Sequence, residues 1–540
     1  MPHKALNKRI KVPNTDITKL KKMLFSNKSL WIGAALSLSL TACGTNPVTH
    51  KSEIQFVSES SEINIGKQNY APARQAQGGD YIIDPELTTY VQSVGNKLAA
   101  VSDRKLPYEF VVINDSVPNA WAMPGGKIAF NRGLLYQLNS EAELAAVLGH
   151  EIVHAAARHG AKSMERGVFL QGAMLAVGLA TQDSNYANLI VGGSQLGMGL
   201  VTTKYGRDAE SEADLYGMDY MKRAGYDPSA AVTLQETFVR LSKDQKSNFL
   251  TKLFASHPPS QERVNANKLT LARLGAGGET GKDIFTKKVA ALKAAEPAYK
   301  AYDDGVKALA KKDTANALTL ANQAIKLQPR EARFQELLGD IALTQKKPTD
   351  ALAYYNKAIQ MQPGYFKPHV QAGITLYNMG RKAEAEPYLK KANSLLPTAP
   401  AHLYLGELAE ARGDLNGALQ NYQIAAGSNS EIGKISTQKY LTLDLPRNPQ
   451  KYLQAGVDID ARGNLYAVVR NPTPVGVSRV QIRVVQLDAK TGRVVGQSQP
   501  LLLRSVAAQQ QANVAVGAQI TNQNELRNYR VVVEKAELAN

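Results

Sequence analysis

The chain has 540 residues, of which 44% are hydrophobic, so it can form several domains that each bury a core. Its formal net charge is +17, but the first 42 residues contribute eight Lys/Arg against one Asp, so part of that charge belongs to one short segment. Because no basic run is interleaved with aromatic residues, we predict no nucleic-acid partner, and the single cysteine excludes an intrachain disulfide.

Residues 1–42 have the pattern of a bacterial signal peptide of the lipoprotein type. Lys28 precedes an apolar run, Leu30–Leu40, that is too short to span a bilayer. The sequence Leu-Thr-Ala-Cys at 40–43 resembles a lipobox, at which the leader is cleaved and the cysteine is lipidated. We therefore predict a lipid anchor on Cys43, although a lone cysteine can also be a buried apolar residue.

The resemblance to lipoprotein sorting signals also predicts where the anchor lies. Gly44, and not an aspartate, follows Cys43, which indicates the outer membrane with the protein facing the periplasm. Either Met1 or Met23 starts translation, and Met23 would leave a leader of 20 residues. If Met1 is the start and the leader is not cleaved, the alternative is a cytoplasmic protein without an anchor.

The region before residue 140 predicts a mixed α and β structure. A short helix is predicted near Glu59–Tyr70, and Asp84–Val101 has apolar residues at helical spacing. Tyr108–Ile113 has the composition of a strand. Asn119–Gly126 (NAWAMPGG) leads into Lys127–Phe130, and this pattern predicts a turn between two strands.

The central stretch of the chain is Ser140–His159 (SEAELAAVLGHEIVHAAARH), which we predict to be one helix that continues to Lys162. Ser140 suits the N-cap, and Glu143 three residues later completes a capping-box pattern. Apolar side chains recur at helical spacing and predict a core-facing side: Leu144, Val147, Leu148, Ile152 and Ala155.

Three residues of this helix form an HExxH motif. His150 and His154 are one turn apart, so both imidazoles project from one face and suit a single metal ion. Glu151 lies beside them, where its carboxylate can reach a metal-bound water. Because Zn²⁺ lowers the pKa of bound water to about 7, the motif predicts a hydrolytic zinc site with Glu151 as the base.

Residues 168–202 are rich in Gly, Ala, Leu and Met and contain two apolar runs, Val168–Ala180 and Leu189–Val201. Neither run is long enough to predict a membrane span. Two interpretations remain open. The runs are either a pair of core helices or a mobile hydrophobic flap over the active site that touches substrate or membrane.

The next segment supplies a candidate third ligand. Arg207–Asp214 (RDAESEAD) opens a helix that we predict to run to about Ala224. Glu210 and Asp214 are four residues apart and share a helical face, whereas Glu212 points away from them. We predict Glu210 as the third zinc ligand and Asp214 as a hydrogen-bond partner of a ligand histidine.

Ser256–Arg263 (SHPPSQER) is predicted to be a loop that runs into a further helix. His257 precedes two prolines, which hold it in an extended conformation. Taken alone, a histidine in such a loop is more often structural than catalytic.

Four motifs occur in a fixed order: NAWAMPGG, HEIVH followed by ARH, RDAESEAD and SHPPSQER. Together they resemble the zinc endopeptidases related to HtpX and BepA, over about residues 50–270. The resemblance implies an endopeptidase with one Zn²⁺ per chain, held by His150, His154 and Glu210. It also implies Glu151 as the catalytic base and Asp214 as the support of a ligand.

The same resemblance implies roles for two other segments. In the BepA-like branch, the histidine at the position of His257 can occupy the open zinc position and keep the enzyme latent. His257 or Arg263 could instead stabilise the developing oxyanion. Such enzymes add their substrate as an extra strand, main chain to main chain, at a segment matched here by Asn119, Ala120, Trp121, Ala122 and Met123.

Residues 271–298 are predicted to be a charged linker, and an internal repeat fills 299–430. Three sets of residues recur every 34 positions: Ala324, Ala358, Ala392 and Ala426; Pro329, Pro363 and Pro397; Gly305, Gly339 and Gly373. This period predicts about four tetratricopeptide repeats, whose paired helices stack into a superhelix with a concave binding face. Gly406 is one residue out of phase, which predicts an altered turn in the last repeat.

Residues 431–455 are predicted to be a second linker, and a period of two begins at about Asn464. Strands are predicted at Leu465–Val469, Val480–Val485, Arg493–Val495, Ala512–Val516 and Tyr529–Val533, with a turn at Asp488–Gly492. Such short strands predict a small β-sandwich at 456–540. This domain departs from the BepA pattern, which ends after its repeats.

The predicted fold is therefore multidomain: an α+β zincin-type metallopeptidase domain over residues 43–270, an all-α tetratricopeptide superhelix and an all-β sandwich. The predicted function is hydrolysis of misfolded or stalled proteins of the bacterial envelope and outer membrane. By family analogy, the repeats would bring the protein to the outer-membrane assembly machinery. The alternative is a chaperone or scaffold for that assembly with a latent or vestigial protease site.

Overall fold

The computed structural model describes residues 43–174, 205–243, 255–520 and 522–539. The predicted signal peptide at 1–42 and most of the two apolar runs within 168–202 lie outside these ranges. Within them, no helix combines the length and the apolar character that crossing a membrane requires.

The first domain packs helices around a three-stranded sheet. Its strands are β3 (Glu109–Ile113), β4 (Ala120–Met123) and β5 (Lys127–Asn131), and a separate pair, β1 (Cys43–Thr45) and β2 (Ser52–Ile54), precedes them. Its helices are α1 (Glu59–Ala76), α2 (Pro85–Ala100), α3 (Arg132–Leu135), α4 (Glu141–Ala156), α5 (His159–Met174), α6 (Arg207–Arg223), α7 (Ser229–Lys243) and α8 (Gln261–Leu274). The order β3–β5–β4 leaves β4 at an edge, antiparallel to β5.

The local patterns before residue 140 predict the observed elements well. The helix predicted at Asp84–Val101 is α2, and the segment NAWAMPGG forms the turn between β4 and β5. Gly125 and Gly126 have φ values of 78° and 81° in this turn, which only glycine adopts without strain. Helix α1 is longer than predicted and continues through Pro72 to Ala76.

Helix α4 begins as its capping pattern predicts but ends early. The Ser140 hydroxyl accepts a hydrogen bond from the Glu143 N–H at 3.1 Å, and the Glu143 carboxylate accepts one from the Asn139 N–H at 2.7 Å. The prediction of one helix to Lys162 is wrong. Helix α4 ends at Ala156, and α5 starts at His159 after a turn in which Arg158 has a φ of 62°.

A buried ion network stabilises this turn. Glu62 is fully buried, and its Oε1 accepts a hydrogen bond from Arg158 Nε at 2.5 Å. The two terminal nitrogens of Arg104 donate to the same carboxylate at 3.0 and 3.2 Å. One carboxylate thus bridges two buried guanidinium groups, which also contact Glu59 and Glu165, and these bonds offset the cost of the left-handed conformation at Arg158. No pattern around Arg158 in the sequence reveals this, because Glu62 is 96 residues away.

The stretch predicted as a linker at 271–298 belongs to the core of the first domain. Helix α9 (Lys282–Ala294) fills most of it, and Phe285, Val289 and Leu292 are fully buried in the same cluster as Ile152 of α4. Their spacing of four and three residues is amphipathic. The prediction was wrong because the charged residues between them dominate the composition of this stretch.

Four antiparallel helix pairs follow, and they confirm the predicted tetratricopeptide superhelix. The pairs are α10 (Glu296–Ala310) with α11 (Thr314–Leu327), α12 (Ala332–Thr344) with α13 (Pro348–Met361), α14 (Phe366–Asn378) with α15 (Lys382–Leu395), and α16 (Ala399–Ala411) with α17 (Leu415–Ala426). Helix α18 (Glu431–Asp444) packs on α17, and α19 (Pro449–Tyr452) follows. The stretch predicted as a linker at 431–455 is therefore mostly helical.

The phase break at Gly406 comes from one shortened turn. Four residues separate α11 from α12 and α13 from α14, but only three separate α15 from α16. As a result Gly406 faces the Tyr422 ring as Gly339 faces the Tyr355 ring, and Ala425 replaces the predicted Ala426 as the buried small residue. The predicted alteration of a turn in the last repeat is confirmed.

The repeats contact the peptidase domain at the loop that joins β3 to β4. The Asn114 side chain donates to Glu331 Oε2 at 3.0 Å and accepts from Arg132 Nε at 2.7 Å. Arg333 donates to the Asn114 carbonyl, and the Arg132 guanidinium lies 3.4 Å from the centroid of the Tyr299 ring. Because this loop leads directly into β4, these contacts with the first two repeats stabilise the position of the edge strand.

Two antiparallel sheets form the C-terminal domain. In one, β8 (Val477–Leu487) pairs with β9 (Val494–Gln497), β10 (Leu501–Val506) and β12 (Tyr529–Leu538); in the other, β7 (Asn464–Arg470) pairs with β6 (Gln454–Ile459) and β11 (Gln511–Gln519). A 3₁₀ helix (Gln523–Asn528) precedes β12. Val469 of one sheet and Ile482 of the other share a core, which confirms the β-sandwich. The sequence prediction missed β6, which is largely exposed, and β10, whose Leu501–Leu503 run lacks alternation.

Candidate metal centre

Three imidazoles and one carboxylate converge between α4, α6 and the loop before α8. His150 Nε2 and His154 Nε2 lie 3.0 Å apart, and each lies 3.5 Å from one oxygen of Glu210. Nδ1 of His257 lies 3.3 Å from His150 Nε2 and 3.0 Å from Glu210 Oε1. One ligand atom from each of the four residues lies within 4.8 Å of all the others.

The separations within this set fit a tetrahedral cation. Two ligand atoms that are each about 2.1 Å from a tetrahedral ion lie about 3.4 Å apart. The distances of 3.0–3.5 Å between the imidazole nitrogens and the Glu210 oxygens match that value. Imidazole with carboxylate is a donor set that divalent transition metals accept, so these residues can hold one metal ion.

Asp214 and Arg263 hold the ligands in orientation. Asp214 Oδ1 lies 2.9 Å from His150 Nδ1, so Nδ1 donates its proton to Asp214 and Nε2 is the ring nitrogen left to face a metal. Two nitrogens of Arg263 donate to the Asp214 carboxylate at 2.7 Å each, and a third lies 3.0 Å from Glu210 Oε2. Arg263 thus contacts both carboxylates, and it also lines the cleft beside His150.

The charged groups of the centre shift one another's pKa. Burial opposes protonation of His150, but the carboxylates of Asp214 and Glu210 outweigh it and raise the pKa of His150 to about 10, so a metal that binds Nε2 must displace a proton from it. Burial would raise the pKa of Glu210, but His257 and the hydrogen bond from His150 lower it far below its ordinary value. For Asp214, Arg263 outweighs burial in the same way and lowers the pKa. Both carboxylates are thus anionic, which is the form that binds a cation.

Glu151 faces the same centre but contributes none of its four ligand atoms. Its side chain is 2% exposed, and its Oε1 lies 3.6 Å from His257 Nε2. Within the described residues, its Oε2 is buried and has no hydrogen-bond partner. A buried polar atom without a partner is costly, so this oxygen marks a position for a proton donor. Burial raises the pKa of Glu151 towards the range of a general base.

The edge strand β4 passes beside the centre. The Asn131 N–H donates to the Asn119 carbonyl, and the alternation along the strand then directs the N–H and C=O groups of Ala120 and Ala122 away from β5. The Ala120 side chain lines the same cleft as His150. Of the predicted segment Asn119–Met123, the structure thus places Ala120 at this cleft, whereas Trp121 and Met123 pack in a separate buried cluster.

An apolar cleft adjoins the centre. His150 and Glu151 form one end of the cleft. Large apolar side chains line its walls: Leu134, Val147, Met218, Leu234 and Phe238. Such a lining suits an apolar side chain of a ligand whose polar main chain stays at the metal centre.

The sequence analysis missed three contributors to the centre. His159 Nδ1 lies 2.8 Å from His154 Nδ1, and the Tyr205 ring stacks on the His154 ring with centroids 4.0 Å apart. Glu212 points away from Glu210, as predicted, and its Oε2 lies 3.3 Å from His159 Nε2. The ARH sequence after the HExxH motif is the only signal for His159. Its contact with His154 depends on the turn at Arg158, which the sequence does not reveal.

Family models match two parts of the chain, the first domain and the repeats. Residues 85–269 match Peptidase family M48. Residues 302–366 and 370–431 match a tetratricopeptide repeat, in agreement with the four observed helix pairs. The first match covers the sheet, α4 and α6, and it ends within α8.

Curated relatives align with part of this chain at moderate identity. The beta-barrel assembly-enhancing protease of Escherichia coli is 30% identical over 217 residues, which are 38% of this chain and 44% of that relative. The mitochondrial metalloendopeptidase OMA1 of Schizosaccharomyces pombe is 33% identical over 227 residues, 40% of this chain and 63% of that relative. The metalloprotease YcaL of Escherichia coli is 33% identical over 185 residues, 33% of this chain and 66% of that relative.

The chain thus spans less than half of the bacterial assembly-enhancing protease and less than two thirds of the other two relatives. The residues that match the family model contain the HExxH helix, the edge strand and the Glu210 helix. Residues 85–269 therefore match a Peptidase family M48 domain, and tetratricopeptide repeats follow it in the same chain.

Proposed function

We propose that this chain is a zinc-dependent endopeptidase that hydrolyses unfolded or stalled proteins in the bacterial cell envelope. The observation that carries the proposal is the convergence of His150, His154 and Glu210 beside Glu151, whose buried Oε2 has no partner among the described residues. Ligands and base are the two components that metal-assisted peptide hydrolysis requires. The names of the relatives, which include metalloprotease and metalloendopeptidase, support the same reaction class.

His150, His154 and Glu210 would hold the zinc ion in this centre. When bound there, zinc supplies a Lewis acid that acidifies water and polarises a peptide carbonyl. Glu151 Oε2 accepts the proton of the attacking water and then donates it to the leaving amide nitrogen. Asp214 keeps the proton of His150 on Nδ1 throughout, so His150 remains a ligand through Nε2.

The edge strand β4 accounts for the class of substrate. Its outward N–H and C=O groups at Ala120 and Ala122 can pair with an extended peptide, which would lie as a further strand beside Glu151. Only a chain without stable structure can offer several consecutive backbone groups to such an edge. This mode favours misfolded or stalled proteins over folded ones.

The contacts of Arg263 favour a supporting role over oxyanion stabilisation. Its guanidinium is engaged by Asp214, Glu210 and the Pro258 carbonyl. We propose that Arg263 maintains the geometry of the two carboxylates. A role in oxyanion stabilisation falls instead to the metal.

His257 lies where a fourth protein ligand would block the substrate position. Catalytic zinc sites keep one position open, and His257 Nδ1 is within 3.3 Å of both His150 Nε2 and Glu210 Oε1. We propose that it holds the enzyme latent. We expect His257→Ala to cleave unfolded protein at least about tenfold faster than wild type. If His257 keeps about 90% of the wild-type molecules closed, only about one tenth are active, and the substitution makes the rest active.

The measurement for His257→Ala is the initial rate of cleavage of an unfolded protein, normalised to the zinc content of each preparation. Normalisation matters because loss of one nitrogen ligand can also weaken zinc binding. If zinc-loaded His257→Ala is as inactive as Glu151→Gln, His257 is a catalytic residue and latency is not its role.

The apolar cleft predicts a preference for large apolar side chains next to the cleaved bond. We expect peptides with Leu or Phe at that position to have a kcat/KM at least about tenfold above peptides with Ser or Asp. Leu234→Glu should remove this preference, whereas Leu269→Glu, at a side chain 75% exposed on α8, should keep it. Mass spectrometry of a cleaved peptide library measures the preference, and an unchanged profile in Leu234→Glu would show that the cleft does not bind substrate.

We further propose a periplasmic location with a lipid anchor on Cys43 in the outer membrane. The lipobox pattern at residues 40–43 supports it, as does similarity to a protein named beta-barrel assembly-enhancing protease. The concave face of the repeats would bind protein partners there, among which we propose the outer-membrane assembly machinery. The mass of the mature N-terminus tests the anchor: it should correspond to a lipidated cysteine, not to Met1 or Met23.

The central test of the function is zinc content and cleavage of an unfolded protein, measured on the same preparation of the full chain. We expect one zinc per chain, and cleavage that a chelator stops and added zinc restores. If zinc-loaded protein cleaves nothing, even as His257→Ala, a chaperone or scaffold with a structural zinc is the better account.

A further inference from the structure

The two histidines of the HExxH motif have different hydrogen-bond partners at Nδ1. His150 contacts a carboxylate directly, because its Nδ1 lies 2.9 Å from Asp214 Oδ1. His154 is 1% exposed, and its Nδ1 instead lies 2.8 Å from Nδ1 of a third imidazole, that of His159. Two ring nitrogens at this distance share one proton, and which ring carries it decides whether His154 can bind a metal.

The position of that proton depends on Glu212. Nε2 of His159 lies 3.3 Å from Glu212 Oε2, and the other Glu212 oxygen accepts from Lys51 Nζ at 3.3 Å. A carboxylate can only accept, so it fixes the single proton of a neutral His159 on Nε2 and leaves Nδ1 bare. The proton between the rings then belongs to His154 Nδ1. His154 Nε2 keeps its lone pair, and that atom is the one that faces Glu210 and His150.

The turn between α4 and α5 makes this contact possible. In a continuous helix, residue 159 would lie about 140° around the axis from residue 154, because each residue advances about 100°. The left-handed conformation of Arg158, with a φ of 62°, interrupts the helix and turns the His159 ring back onto His154. The buried Glu62 carboxylate holds Arg158 in that conformation.

We propose that His159 is a positioning residue that, with Glu212, fixes the metal-binding tautomer and ring orientation of His154. The inference rests on the zinc site proposed above and adds an indirect carboxylate–imidazole–imidazole support to it. Such supports typically change metal affinity by about 10–100-fold when they are removed. His159 itself supplies none of the four converging ligand atoms.

The test is the zinc dissociation constant of the full chain, measured by competition with a chelating indicator. We expect His159→Ala to bind zinc about 10–100-fold more weakly than wild type. His159→Asn should recover part of the loss, because its amide oxygen can accept the proton of His154 Nδ1. The matched control is His402→Ala, which removes a histidine that contacts Asn421 in the repeats, and it should bind zinc as wild type does.

A second readout separates positioning from general damage to the fold. The thermal unfolding of the metal-free His159→Ala and His159→Asn proteins should coincide, while their zinc affinities differ. Glu212→Gln provides an independent variant, with a zinc affinity between those of wild type and His159→Ala. Equal zinc affinity in wild type, His159→Ala and Glu212→Gln overturns the inference while leaving the proposed function intact. A wild-type protein that binds no zinc instead overturns the proposed function itself.

Discussion

Replacing Glu151 with glutamine is expected to abolish peptide hydrolysis while leaving the metal bound. Glutamine preserves the size of the side chain, but its amide cannot accept the proton of an attacking water. General acid–base groups contribute about 10²–10⁴-fold to rates, so kcat/KM should fall at least about 100-fold. Zinc content should stay at the wild-type level, because Glu151 supplies none of the four converging ligand atoms.

The control for this experiment is Glu86→Gln, at a side chain that is 86% exposed on α2. It makes the same chemical change away from the centre and should leave both rate and zinc content unaltered. Rates for Glu151→Gln close to the wild-type rate would exclude Glu151 as the base. Loss of zinc in Glu151→Gln would instead make it a ligand, which contradicts the observed geometry. A scaffold function, by contrast, would survive this substitution.

Glu62→Gln is expected to cause a large loss of stability. Glu62 is fully buried and is the carboxylate that both Arg104 and Arg158 contact, so its neutralisation leaves two buried guanidinium groups without that charge. Breaking a buried ion pair on one side costs about 3–5 kcal/mol. We expect a fall of that size in the free energy of unfolding of the peptidase domain.

Glu59→Gln is the matched comparison, since Glu59 lies on the same helix and contacts the same Arg104 at 3.1 Å. Its side chain is 58% exposed, so the expected loss is below about 1 kcal/mol. Urea unfolding of the full chain, followed by tryptophan fluorescence, measures both variants, because Trp121 is buried in the peptidase domain. Equal effects of the two substitutions would mean that burial does not determine the strength of these ion pairs.

The local parts of the fold were predictable because their signals repeat along the chain. Helical spacing predicted α2, a capping pattern predicted the start of α4, and the 34-residue period predicted the four helix pairs. The same reasoning failed where composition and pattern disagree. Helix α9 buries Phe285, Val289 and Leu292 although its overall composition is that of a charged linker.

In the candidate site, too, the sequence predicts the local contacts but not the long-range ones. Residues one helical turn apart, such as His150 with His154 and Glu210 with Asp214, follow from the geometry of a single helix. The approach of the two helices to each other, the contacts of His257 with the cluster and those of Arg263 with both carboxylates involve residues 47–107 positions apart. The resemblance to a known family implied some of these contacts, but the spacing of the residues did not.

The sequence by itself determined the metal-binding motif, the repeat architecture and the strand-rich C-terminus, because each is encoded by residues a few positions apart or by a regular period. The tertiary structure alone decided that α4 breaks at Arg158, that His159 turns back onto His154 and that the repeats support the loop before β4. These features depend on buried charges such as Glu62, whose partners are distant in the chain. A conformation that is unfavourable locally persists there because long-range hydrogen bonds and ion pairs stabilise it.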